Sequence, residues 1–242
     1  MFFPIKDDNP TFRTPFLTIF LIAANTLIFL YSKFIVPEGF EYFLVSYGFI
    51  PMRFFEGSNM AEVYGVALES PILLTPFSSM FLHGGWMHLI GNMLVLWIYG
   101  NNIEDYLGPV KFLIFYLVAG IAAVALYSVV NLDSAIPLVG ASGAIAGVMG
   151  AYMVLHPRAE ITVLIIFFFI QFVVLPAKVV LGIWFGLQLL MSVMGSSSGG
   201  GIAFLAHVGG FVFGYIIFRI IVSIWGRHTP SGDRQRIYKM NW

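Results

Sequence analysis

A serine hydroxyl becomes a useful nucleophile only where a neighbouring base can take its proton, so the residues to pair first are Ser142 and His207. Ser142 lies in Pro137-Leu-Val-Gly140-Ala-Ser142-Gly143-Ala-Ile-Ala-Gly147-Val-Met-Gly150, at the mouth of an apolar run reaching Leu155. His207 lies in a second such run, Leu205-Ala-His207-Val-Gly209-Gly210-Phe-Val-Phe-Gly214. Glycines recur at four-residue spacing in both, Gly143/Gly147 and Gly210/Gly214, and small faces of this kind let two helices in lipid approach closely. A third group is His83-Gly-Gly-Trp-Met-His88-Leu-Ile-Gly-Asn92, where His88 and Asn92 share one helix face and His83 stands at the loop entry. Polar groups inside a membrane span mark a functional site by default. Here the chemistry on offer is an oxyanion hole: imidazole and amide donors, joined by the Ser142 N–H, aimed where a carbonyl gains charge, about 2.7–4 kcal/mol per donor. The plainer alternative is that His88 and Asn92 only bond neighbouring helices together.

Other chemistries are poorly supplied. Glu104, Asp105 and Asp133 fall at span ends, so no carboxylate lies inside a span. A Ser-His-Asp triad is therefore not available, and a Ser-His dyad is the form left. His83, His88 and His207 could hold zinc as a catalytic three-ligand set, but there is no His-Glu-x-x-His and no carboxylate near them to act as base. No metal and no cofactor is expected. With no cysteine there is neither a disulfide nor a thiolate, and a net charge of zero gives no electrostatic case for nucleic acid.

What must position these groups is a bundle in lipid. The 242 residues are 59% hydrophobic and 10% charged, against roughly 45–50% and about 25% in soluble domains, and mean hydropathy is +0.90. The chain reads as an all-α, polytopic membrane protein. Six stretches suit crossing helices, roughly 15–35, 80–99, 110–131, 138–155, 177–194 and 202–224. They define a membrane domain over 15–225, between a cytoplasmic segment 1–14 and a basic cytoplasmic tail 226–242. The first span reads as retained, since no small-residue cleavage site follows it. The loop of about 36–75 is aromatic with few charges, which suits either a segment at the membrane interface or a small extramembrane cap. Residues 161–175 are apolar but too few to span, so an interfacial or re-entrant segment is expected. With the N-terminus inside, Lys6, Arg13, Lys111, Arg158, Lys178, Arg219, Arg227, Arg234, Arg236 and Lys239 fall inside, and only Lys33 and Arg53 outside. Under that topology Ser142 and His207 enter their spans by about four and five residues, His88 and Asn92 by about eight and twelve. All four then share the outer half of the bilayer.

These residues resemble the rhomboid intramembrane serine proteases. Gly140-Ala-Ser142-Gly143 is similar to the family's G-x-S-G nucleophile motif, and Ala206-His207-Val-Gly209-Gly210-Phe-Val-Phe-Gly214 to its A-H-x-x-G-x-x-x-G base motif. His83, His88 and Asn92 resemble its H-x-x-x-x-H-x-x-x-N signature; Gly48-Phe-Ile-Pro51 and Phe81-Leu-His83-Gly-Gly-Trp resemble a prokaryotic variant. The resemblance implies a six-transmembrane-helix rhomboid-like bundle in a prokaryotic inner membrane, both termini cytoplasmic. It implies Ser142 as nucleophile, His207 as base, and His88, Asn92 and the Ser142 amide on the oxyanion. Gly140, Gly143, Gly209, Gly210, Gly214 and His83 support them. The implied partners are the bilayer and transmembrane protein substrates, cut near their outer ends, with the fifth helix and the loop Gly195-Ser-Ser-Ser-Gly-Gly-Gly201 as gate. A catalytically silent, helix-binding relative is the alternative. Two features depart from the pattern. Ala146 stands where some members stack a tyrosine on the histidine, so another side chain must orient His207, and the Trp-Arg pair of some first loops is missing.

Overall fold

The structure, a computed structural model, describes residues 2–65, 67–68, 70–166, 169–194 and 202–226. The Gly195–Gly201 gate loop and all but the first residue of the tail lie outside the described residues. In chain order the elements are β1 (Phe2–Asp7), α1 (Phe16–Phe34), α2 (Phe40–Tyr47), α3 (Pro51–Glu56), α4 (Ala61–Tyr64), α5 (Thr75–Ser78), α6 (Trp86–Leu107), α7 (Pro109–Val130), α8 (Ser142–Leu155), β2 (Glu160–Ile166), β3 (Ile170–Pro176), α9 (Ala177–Met194) and α10 (Ile202–Trp225).

The fold is mostly helical, and each expected span contains a long or moderately long helix. Their lengths differ from a uniform set of six. Among the described residues, α1, α7, α9 and α10 are each long and apolar enough to cross a membrane. A fifth span forms if the short turns Ile72–Phe81 are joined to α6, from which they bend by 79°. The break falls at Gly84-Gly85, so α6 starts at Trp86 and not near residue 80. Helix α8 has 14 residues, about 21 Å at 1.5 Å per residue, short of the roughly 30 Å hydrocarbon core.

That short helix is the centre of the bundle. From Gly143 to Leu155 every residue but Met153 is buried, with α6, α7 and α10 around it. Lipid tails are as apolar as leucine, so the packing rests on shape and close approach. A Cβ at Gly210 or Gly214 would fall on the backbone oxygen of Gly143 or Gly147. Across the other side, a Cβ at Gly143 or Gly147 would lie 2.6 or 2.5 Å from the Ala123 or Ala119 methyl. The four-residue glycine spacing thus lets α8 touch α10 backbone to backbone.

The all-α expectation needs one correction. A three-stranded antiparallel sheet, in the order β1-β2-β3, uses the N-terminal segment as an edge strand. Phe2 stands opposite Ile165 and Asp7 opposite Ile161, with a register shift between Pro4 and Lys6, since proline has no N–H to give a ladder. Residues 161–166 and 170–175, from the stretch expected to be interfacial or re-entrant, therefore lie in two paired antiparallel strands. Ile161 and Val163 are buried in the helical core, whereas Phe169, Ile170, Phe172 and Val174 are exposed.

Carboxylates at the C-terminal end of α6 and in β1 tie this sheet and α1 to α6. Glu104, buried, accepts from the Leu17 and Thr18 N–H groups at 2.9 and 2.8 Å and from Thr18 Oγ1 at 2.8 Å. It does for α1 what an N-cap side chain does, since α1 follows Pro15 with no cap of its own. Asp105 accepts from the Phe12 and Arg13 N–H groups. Asp7 Oδ2 accepts from Asn102 Nδ2 at 2.8 Å and from the Tyr152 hydroxyl at 2.9 Å.

Burial pushes the Asp7 carboxyl from 3.8 up to about 6, against the pull of its two hydrogen bonds. The folded state then holds the proton more tightly than the unfolded chain. This contribution to stability is complete below about pH 4 and is lost as pH rises through about 6. Between about pH 4.5 and 7.5 the wild-type melting temperature in detergent should therefore fall more than that of Asp7→Asn. Parallel pH slopes would contradict this account.

The first loop docks on the segment before α8. Phe49 and Leu138 exchange backbone hydrogen bonds at 3.1 and 2.8 Å, and Met52 N–H bonds Ser134 O at 3.2 Å. Gly48 sits where a Cβ would be 2.9 Å from Pro137 Cβ. Although the Trp-Arg pair is missing, a buried arginine knits the loop: Arg53 donates to the carbonyls of Ser46, Leu68 and Ser70 and to Ser70 Oγ. Phe55, Val63, Leu73 and Leu74 remain exposed around it, in keeping with a surface that meets the membrane interface.

Candidate active site

Ser142 is the first residue of α8, so its backbone N–H has no intrahelical acceptor. His207 lies one and a half turns into α10, on the strip that Gly210 and Gly214 hold against α8. Their side chains meet: Ser142 Oγ is 2.7 Å from His207 Nε2. On the far side of the ring, Nδ1 is 2.8 Å from Gln188 Oε1 of α9. An amide oxygen only accepts, so Nδ1 carries the proton and Nε2 presents its lone pair to the serine hydroxyl.

His88 faces this pair from α6, near its N-terminal end. Its Nδ1 accepts from the Gly84 N–H at 3.4 Å, which leaves Nε2 as the donor. Gly140 has φ +129, a backbone state that favours glycine, and a Cβ there would lie 2.8 Å from His88 Nε2 and 3.4 Å from Ser142 Oγ. The missing side chain leaves a gap between nucleophile and donor. Site geometry for acyl transfer calls for such a place, about 3 Å from both groups. The Gly140 N–H bonds Ser79 O at 2.9 Å, fixing this turn from the first loop's end.

The gap opens into a cavity of about 90 Å³, room for a few waters. Ser79, His88, Gly140, Ser142 and His207 line it with apolar neighbours from α7 and α10. Asn92 is not among the lining residues. Among the described residues its Nδ2 is buried without a hydrogen-bond partner. His83 packs edge-on to His88, centroids 5.1 Å apart, and so backs the donor from behind. Gly143 and Gly210 shape the α8–α10 seam, and Gly209 lies against Leu126 and Ala122 of α7. Among the described residues no three His, Cys, Asp or Glu side chains gather as a metal site would need.

Two side chains here have no counterpart in the sequence reading. Gln188 is one, and Trp184 is the other, its ring 5.9 Å from that of His207 and tilted by 35°. Both lie on α9. Their only forewarning is Ala146, fully buried and too small to orient an imidazole.

A helical integral membrane protein with a serine and a histidine in hydrogen-bond contact beneath one end of its bundle defines the class. The rhomboid domain model matches residues 72–224, and the chain belongs to the rhomboid family. It is 32% identical over 146 residues to the human presenilin-associated rhomboid-like protein, mitochondrial, covering 60% of this chain and 34% of that one. To rhomboid protein 1, mitochondrial, of Saccharomyces cerevisiae it is 32% identical over 148 residues, 57% of this chain and 39% of the relative. To RHOMBOID-like protein 4 of Arabidopsis thaliana it is 33% identical over 138 residues, 57% and 31% of the two chains. The matched stretch thus spans about a third of each relative.

Proposed function

We propose that the protein is an intramembrane serine endopeptidase that cuts transmembrane helices near their outer ends. The 2.7 Å contact between Ser142 Oγ and His207 Nε2 carries this reading. Ser142 attacks the substrate carbonyl while His207 Nε2 takes the hydroxyl proton and then gives it to the leaving amine. Water from the cavity, deprotonated by the same nitrogen, releases the acyl group. The oxygen of the tetrahedral intermediate enters the gap at Gly140, beside His88 Nε2–H, and the Ser142 N–H at the start of α8 serves as a second donor. Asn92 Nδ2, free and buried one helical turn beyond His88, serves as a further donor once substrate shifts these side chains.

The position of the pair supports the choice of cleavage point. Ser142 begins α8 and His207 lies in the outer part of α10 when the basic residues are placed inside. A hydrogen-bonded helix hides its carbonyls, so substrates need small, helix-weakening residues at that depth. The human and yeast relatives are named as mitochondrial, and the sequence expectation is a prokaryotic inner membrane. The inside-positive topology is proposed for whichever membrane holds the protein.

A fluorophosphonate probe tests the reading directly. It should label the wild-type protein in detergent at Ser142, located by peptide mass, and labelling should vanish in His207→Ala. A folded wild-type protein that neither reacts nor cleaves a reporter span would leave a helix-binding, catalytically silent rhomboid.

A further inference from the structure

We propose that Gln188 is the positioning residue that sets the tautomer of His207, and that the base is armed only while the outer half of α9 lies against α10. This rests on the catalytic reading above. Neutral imidazole has one N–H and one lone pair, and only the form protonated at Nδ1 can take a proton from Ser142 through Nε2. Gln188 Oε1 at 2.8 Å selects that form. Among the described residues no carboxylate competes for the role: the charged side chains of the helices packed on His207, Lys111, Lys178 and Arg219, belong to their inner ends, and the titratable group that faces it is His88 of α6.

Helix α9 is an unusual place to keep such a partner. Its buried residues are Ala177, Val180 and Leu181, all in its first turns. Gly182 and Gly186 have nothing within 4 Å of a would-be Cβ. The middle of α9 is held by aromatic contacts, Trp184 with His207 and Phe185 stacked on Phe211 at 4.6 Å, and Gln188 lies beyond them in the outer half. A displacement of this half away from α10 carries Gln188 off Nδ1 and frees the imidazole to rotate or change tautomer. The position of the outer half of α9 and the readiness of the base are therefore coupled.

Two variants and two readouts test this. Gln188→Leu keeps the volume and removes the acceptor; cleavage of a reporter span should fall by about tenfold to a hundredfold, as it does when a partner that orients a metal-bound imidazole is removed. Gln188→Glu should keep activity but move the acid limb of the pH–rate profile upward by about one unit or more, because a carboxylate at Nδ1 favours imidazolium. A purely structural glutamine would scale the rate at every pH and leave that limb in place. Independently of activity, ring-nitrogen NMR of ¹⁵N-histidine protein should find His207, assigned by its loss in His207→Asn, protonated at Nδ1 in the wild type and in mixed tautomers in Gln188→Leu. Unchanged nitrogen shifts in Gln188→Leu, or an acid limb unmoved in Gln188→Glu, would overturn the proposal. A wild type that is inert yet has the Nδ1 tautomer would overturn the protease reading and leave the role of Gln188 standing.

Discussion

Replacing Ser142 with alanine should lower cleavage of a reporter span by on the order of 10⁴–10⁶-fold, with the protein still folded. The fold does not depend on the hydroxyl: Ser142 opens α8, its bond goes to a histidine outside the helix, and Ala is a better helix former than Ser. The sharper expectation concerns the pair. His207→Ala alone should cost nearly as much, and Ser142→Ala with His207→Ala little more than either, because nucleophile and base act as one unit. Any residue of rate in the double variant would come from His88 and the Ser142 N–H at the oxyanion gap. Rates are read by gel or mass spectrometry of the cleaved span in detergent and in liposomes. Additive losses would mean that the two side chains act separately, and the 2.7 Å contact would then not be the catalytic one.

The sequence exposes this pair because membrane helices advertise polar residues. Ser142 and His207 are rare polar groups in apolar runs, and the glycine spacing beside each foretells that their helices touch. His88 and Asn92 stand out for the same reason, but spacing alone cannot say which of two residues on one face reaches a cavity. In the structure His88 lines it and Asn92 does not. Gln188 is harder to anticipate. It too is a polar residue in an apolar run, yet the glycine spacing misleads there: a Cβ at Gly182 or Gly186 would meet nothing within 4 Å, and the contact with α10 is made by Trp184 and Phe185 instead.

The sheet has a different reason for being missed. Residues 161–175 are apolar on nearly every position, so they lack the alternation that marks a half-buried strand. Their length excludes a crossing helix but leaves strand and interfacial helix alike. The pairing is settled by β1, which is far away in sequence and has a proline and two charges within it. Long-range pairing of that kind leaves no local trace. Helix boundaries were displaced where glycine intervenes: Gly84-Gly85 moves the start of α6 to Trp86, and Gly140 at positive φ delays α8 until Ser142.

Glycine is also where the largest structural effect should fall. Gly214→Leu places its Cβ on the backbone of Gly147, against its oxygen, carbonyl carbon and Cα. Backbone cannot rotate away as a side chain can, so α8 and α10 must separate, and every contact along the seam loosens with them. A cost above about 4 kcal/mol is expected, in the range reserved for overpacked cores and comparable to a whole protein's margin. The variant should fail to give a monodisperse peak in detergent, and any material recovered should not react with a fluorophosphonate at Ser142. The opposite sign is expected on α9. Gly182→Ala and Gly186→Ala add a methyl where nothing lies within 4 Å, in helix interiors where alanine is favoured over glycine by about 1 kcal/mol, so each should hold or raise the melting temperature. Equal tolerance at Gly214 and Gly186 would mean that α8 and α10 do not meet backbone to backbone. Intolerance at both would mean that α9 is as tightly packed as the seam, and a displacement that carries Gln188 from His207 would then be too costly to occur in the folded protein.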